Sequence, residues 1–131
     1  MMLKKLTPNL MVEDVQQTLS FYRDVLGFQV QMTLPDQPPF DFAIVGRDQV
    51  ELMFQSRASL SVNVPVLLGQ PIGASQTLYI EVENLQKLYE ELRNQVDVVV
   101  DLHTTFYGTQ EFYFRDVNGY ILSFSESTQP A

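Results

Sequence analysis

Glu51 is the residue whose type and setting most invite chemistry. It lies in Gln49-Val50-Glu51-Leu52-Met53-Phe54-Gln55. Strand alternation puts Gln49, Glu51, Met53 and Gln55 on one face and Val50, Leu52 and Phe54 on the other. The apolar set belongs against a helix. That leaves Glu51 on the opposite face as a general base or a partner for a cationic ligand, or as a solvated carboxylate on an open sheet. His103 is the only histidine. One histidine does not make a typical transition-metal site, but it can shuttle a proton to a carboxylate or simply bond locally in a loop. Phe106, Tyr107, Phe112, Tyr113, Phe114 and Tyr120 form a dense aromatic stretch. Alternation separates Phe112 and Phe114 from Tyr113 and Arg115. One set is core, and the other offers flat amphipathic rings to a planar ligand. No Gly-rich phosphate loop and no Ser-His-Asp order is present, so neither nucleotide binding nor triad hydrolysis is supported.

These groups sit on local elements that the chain spells out in order. Leu6 to Val12 reads as a strand. Asp14 caps a helix, with Gln17 three residues on and an apolar face of Val15, Leu19, Tyr22 and Leu26. Gly27 stops it. Strands follow at Phe28 to Leu34, Phe40 to Val45 and Gln49 to Gln55, with a tight turn at Gly46-Arg47-Asp48. Ser56 to Ser75 reads as a linker with no more than a helical turn. Its apolar run Val64-Pro65-Val66-Leu67-Leu68 packs on its own domain, on a second subunit or over a cleft.

The order then recurs. Thr77 to Val82 is a strand, and Asn84 caps a helix with Leu85, Leu88, Tyr89 and Leu92 on its apolar face. Val98 to Val100 is a strand, and Asp101 to Gly108 a loop containing His103. Strands at Gln110 to Arg115 and Tyr120 to Ser125 flank the turn Asp116-Val117-Asn118-Gly119, where Asn-Gly supplies positive φ. Val12-Glu13-Asp14-Val15-Gln16 and Val82-Glu83-Asn84-Leu85-Gln86 thus open two copies of one unit, roughly 70 residues apart. Such a duplication usually sets a functional cleft between its copies.

Composition bounds the remaining possibilities. The chain has 131 residues and 45% hydrophobic content, which suits one domain. Its net charge is −8, with only 8 scattered Lys and Arg, so nucleic acid is not an expected partner. No apolar run is long enough to span a membrane, and Pro8 and Asn9 end the first apolar stretch too soon for a signal peptide. There is no cysteine, hence no disulfide and no thiolate. A cytoplasmic location is the default expectation.

Val12-Glu13-Asp14 followed by Phe21-Tyr22-Arg23-Asp24-Val25-Leu26-Gly27-Phe28 resembles the opening of the vicinal oxygen chelate superfamily. That superfamily includes glyoxalase I, bleomycin-resistance proteins and extradiol dioxygenases. Glu111-Phe112-Tyr113-Phe114-Arg115-Asp116-Val117-Asn118-Gly119-Tyr120 resembles its Asp-Pro-Asp-Gly hairpin, with Val117 in place of proline. The resemblance covers nearly the whole chain as one domain over 1–131, with module one at 3–56, a linker at 57–75 and module two at 76–126. It implies an α+β fold of two tandem βαβββ modules forming a curved eight-stranded mixed sheet around a cleft, often completed as a homodimer. Metal-using members place one His, Gln or Glu on each of four strands. Those positions fall here on Thr7, Glu51, Thr77 and Ser123. Three are neutral hydroxyls, which bind a divalent ion poorly. The pattern therefore resembles the metal-free bleomycin-resistance branch. The expectation is a protein that sequesters a small molecule, with no metal and no cofactor. Thr7, Asn9, Glu51, Met53, Thr77, Tyr79, His103, Tyr113 and Ser123 line its site. The alternative is an enzyme of the lyase or dioxygenase type, using metal or acid–base chemistry around Glu51.

Overall fold

The structure is a computed structural model, and it describes residues 1–129. The chain divides into two compact units, Met1–Ile72 and a second that begins at Gly73.

The first unit runs β1 (Asn9–Val12), α1 (Val15–Asp24), β2 (Gln29–Leu34), β3 (Phe42–Arg47) and β4 (Val50–Ser56). Its strands are ordered β1-β4-β3-β2. β1 and β4 are parallel, and the other pairs are antiparallel. Asp14 caps α1 as its position requires, its Oδ1 accepting from the Gln17 N–H at 3.0 Å. Gly27 ends the helix with φ +74, and the Phe28 N–H reaches back to the Tyr22 carbonyl at 2.9 Å. The Gly27 N–H meets the Arg23 carbonyl at 3.2 Å, the left-handed closure that favours glycine at this point. Val15, Leu19 and Tyr22 of α1 are buried with Val45, Leu52 and Phe54 of the sheet. The Tyr22 ring meets the Phe54 ring at 4.8 Å.

The second unit repeats the order with β5 (Thr77–Glu81), α3 (Leu85–Leu92), β6 (Asp97–Thr104), β7 (Thr109–Arg115) and β8 (Ile121–Ser127). Its sheet is ordered β5-β8-β7-β6, with β5 and β8 parallel. The two sheets share one topology, as the duplicated sequence implies. The fold is α+β, with eight strands in two four-stranded mixed sheets. Phe112, Phe114, Leu122 and Phe124 are buried on the α3 side, with Leu85 and Leu92. Tyr89 of α3 meets Phe112 edge-on at 5.0 Å. The phenylalanine face is therefore core, as alternation requires.

Four local expectations are corrected. Gly46 and Arg47 lie inside β3, and the hairpin turns at Asp48 (φ 52) and Gln49. A Cβ at Gly46 would meet only the far end of the exposed Gln31 side chain, which can swing aside, so the glycine marks no turn. The 56–75 segment is more regular than a linker with one helical turn. It holds α2 (Arg57–Asn63) and a 3-10 turn at Pro65–Leu67, and α2 packs on β1 and β4. His103 is on strand β6, opposite Glu111 of β7, and not in a loop. The polar residues Asp101 and His103 hide this strand in the sequence because β6 is an exposed edge. Asn84 does not cap α3 with its side chain. It adopts φ 58, and Glu126 of β8 caps the helix instead, accepting from the N–H groups of Asn84 and Leu85 at 3.0 Å each.

Candidate functional site

Each sheet has one face against a helix of its own unit and a second face that carries most of its polar residues. In the first unit that second face bears Asn9, Glu51, Met53 and Gln55, with Asn9 beside Met53 in the β1–β4 register. Asn9 Nδ2 donates to Gln55 Oε1 at 2.9 Å, and Gln55 Nε2 donates to Ser59 Oγ at 2.9 Å. This relay ties the face to α2. Glu51 is not a free carboxylate, since Lys5 Nζ lies 2.7 Å from its Oε1. Thr7 precedes β1 and is half-buried.

The second unit holds a denser polar centre. Tyr79, Ser123 and Tyr113 are adjacent across β5, β8 and β7, and Ser125, Glu111 and His103 form the next row. Glu111 is fully buried. Its Oε1 accepts from Tyr107 Oη and Tyr113 Oη, both at 2.9 Å. Its Oε2 accepts from Thr109 Oγ1 at 2.9 Å, Ser125 Oγ at 3.1 Å and Tyr79 Oη at 3.2 Å. Tyr79 Oη also lies 2.8 Å from Ser125 Oγ. A buried carboxylate without a cation is tolerated only when its lone pairs are filled in this way.

The electrostatics follow from that shell. Burial is the largest single influence on Glu111 and favours its neutral form. The hydrogen bonds from Tyr107, Thr109, Tyr113 and Ser125 together outweigh it, and the carboxyl is held below its ordinary value. The same bonds act in reverse on the phenols. The bond to Glu111, helped by desolvation, pushes Tyr107 up to about 12 and also raises Tyr113. At neutral pH the centre is an anion ringed by protonated hydroxyls.

Among the residues expected from the sequence, Asn9, Glu51 and Met53 share a face of the first sheet. Thr77, Tyr79, Tyr113 and Ser123 share a face of the second. His103 lies beside Tyr113, with ring centroids 6.2 Å apart, and its Nδ1 is 2.8 Å from the Asp101 carbonyl. Ser123 Oγ is buried and makes no hydrogen bond of standard geometry, although the Tyr113 hydroxyl is near enough to feel it. Sequence reasoning missed Glu111, Tyr107, Thr109 and Ser125. The signal was present: Thr109, Glu111 and Tyr113 alternate with the core residues Phe112 and Phe114 on a single strand.

The four positions that the resemblance gives to metal ligands do not fit a divalent ion. Thr7, Thr77 and Ser123 offer neutral hydroxyls, and the one carboxylate, Glu51, is already paired with Lys5. Among the described residues, no three His, Asp or Glu side chains stand together in a metal-holding group.

The fold has many solved counterparts. A protein of unknown function from Agrobacterium tumefaciens str. C58 matches with a TM-score of 0.80 at 21% identity, covering 97% of this chain and 96% of that one. TioX from Micromonospora sp. ML1 matches with a TM-score of 0.75 at 15% identity, covering 95% and 98%. The bleomycin-binding protein of bleomycin-producing Streptomyces verticillus, solved in complex with copper(II)-bleomycin, matches with a TM-score of 0.61 at 25% identity, covering 94% and 97%. No curated protein matches by sequence. The model of the Glyoxalase/Bleomycin resistance protein/Dioxygenase superfamily matches residues 5–124, and with the βαβββ repeat in both units this chain belongs to that superfamily.

Proposed function

We propose that the protein binds a small organic molecule on the polar sheet faces, without a metal, and acts by sequestering it. The observation that carries this reading is the Glu111 centre. Three tyrosines from β5, β7 and the turn between β6 and β7 converge on one buried carboxylate, on the face that α3 does not cover. A core has no need of such a group: an apolar residue of similar volume usually serves stability as well or better. Rigid aromatic side chains held by hydrogen bonds are instead what a binding surface needs. The bleomycin-binding counterpart, which holds its own ligand on the same fold, supports the reading. The metal-dependent lyase or dioxygenase alternative is disfavoured by the donor chemistry of Thr7, Glu51, Thr77 and Ser123. A homodimer is part of the proposal, because the exposed apolar run after α2 offers surface to bury.

The test is a thermal-shift screen of a metabolite and antibiotic library, paired with mass spectrometry of small molecules that co-purify. A ligand at about 100 times its Kd stabilises by roughly 2.7 kcal/mol, a clear rise in melting temperature. Failure of every compound to raise it would overturn the reading. Glu51, on the polar face of the first sheet, is also a proposed contact residue. Glu51→Gln should weaken the ligand found by about 1–3 kcal/mol. An unchanged affinity would remove Glu51 from the site.

A further inference from the structure

The Glu111 centre fixes where its protons point, and that limits what can bind over it. A phenol has one proton to donate. Tyr107 and Tyr113 give theirs to Glu111 Oε1. Tyr79 gives its proton to Ser125 Oγ or to Glu111 Oε2. Thr109 and Ser125 give theirs to Oε2. The protons of these five hydroxyls are thus committed inward. What the tyrosines keep for a partner is oxygen lone pairs and ring faces. Tyr79 and Tyr107 are each 53% exposed, so these groups are at the surface. Directly beneath lies a full negative charge with no Lys, Arg or His among its hydrogen-bond partners. Donation to a carboxylate polarises a phenol and enriches its oxygen and ring in electron density. Both lone pairs and ring faces then attract cations. Arg115, on the same face of β7, is engaged by Asp97 at 3.2 Å.

We propose that Tyr79, Tyr107 and Tyr113, held over Glu111, form a site for an organic cation with N–H donors, such as a protonated amine or a guanidinium on an aromatic or alkyl body. This rests on the reading of the protein as a small-molecule binder and names the class of ligand. Carboxylates and phosphates are disfavoured there, because these five hydroxyls have no proton left for them and the buried charge repels them.

Phenethylammonium and phenylacetate test it, since they share a ring and differ in charge. Each is titrated to about 10 mM, on the scale of weak fragment binding, into protein with isotope-labelled tyrosine rings. Saturable shifts of Tyr79, Tyr107 and Tyr113 with phenethylammonium, and none with phenylacetate, are expected. The N-trimethylated analogue, which lacks N–H donors, should bind more weakly. Glu111→Gln should weaken the ammonium by about tenfold or more. Because that buried variant risks the fold, Tyr79→Leu, at an exposed ring, provides a second reading and should weaken binding in a protein that still unfolds cooperatively. Binding of phenylacetate alone, or of both equally, would overturn the cation assignment and leave small-molecule binding standing. Binding of neither, or shifts confined to other residues, would remove the site itself, while the library screen judges the broader reading separately.

Discussion

Glu111 concentrates the energetics of the second unit in one side chain. It is wholly enclosed, and five hydroxyls lie within hydrogen-bond distance of it, Tyr79 also having an acceptor in Ser125. Glu111→Ala would orphan those donors in a cavity. Glu111→Gln would remove the charge and point an NH2 at hydroxyls that are themselves donating. A lost hydrogen bond to a charged group costs about 1.5–3 kcal/mol. We expect about 2–4 kcal/mol of destabilisation for the glutamine variant, measured by urea unfolding, allowing for rearranged hydroxyls. The pH dependence follows from the lowered carboxyl. A depressed folded-state pKa stabilises above the unfolded value and is lost as pH falls through the folded one. Glu111's contribution should therefore be complete above its ordinary value of 4.5 and decline below it. Glu111→Gln should flatten that part of the acid limb. Equal slopes in the two proteins would show that other carboxylates set it. The sequence held half of this site. The tyrosine face of β7 was legible because alternation with phenylalanine is strict. The carboxylate's role was not, because a glutamate on a strand carries no mark of whether water or five hydroxyls will surround it.

At the scale of elements, capping shows where local rules govern and where tertiary structure replaces them. Asp14 before α1 caps as its type and spacing direct. Asn84 sits at the same place in the second copy, yet its left-handed backbone turns its role over to Glu126, which is distant in sequence. α3 has only eight residues, too few to hold together without tertiary contacts. Its start therefore leans on a carboxylate from β8, whose charge also suits the helix N-terminus. Glu126→Ala should cost about 1–2 kcal/mol, the range for a lost N-cap. Hydrogen exchange should speed most at Asn84 and Leu85. Protection unchanged at those amides would mean that water caps the helix equally well. Element existence was legible wherever apolar period and a stop residue agreed, as at Gly27 and Gly119, both of which have positive φ. It was not legible for the far half of β6. An edge strand with one wet face has little hydrophobic pattern, and its pairing with β7 is set by partner geometry.

For the whole molecule, the duplication was the most legible property, because each copy keeps the same strand–helix–strand order and the same sheet topology. The proposed assembly would use a segment that the duplication does not contain. Val62 in the last turn of α2, and Val64, Val66 and Leu68 after it, are all exposed. Their backbone is not loose. Arg57 Nη1 donates to the carbonyls of Leu68 and Gln70 at 2.7 and 2.8 Å, and its Nε meets Glu13 at 2.8 Å. A held backbone presenting apolar side chains to water lowers the ordering cost of association. We expect a closed two-fold dimer that uses this segment. The net charge of −8 opposes two copies meeting, so added salt should tighten the dimer by screening. Light scattering should report twice the 15.0 kDa chain mass at high micromolar concentration. Val66→Asp, at a position 75% exposed, should give a monomer with a melting temperature close to that of the monomeric wild type at high dilution. A wild-type protein that stays at 15.0 kDa in high salt would mean that this run is covered by something other than a second copy.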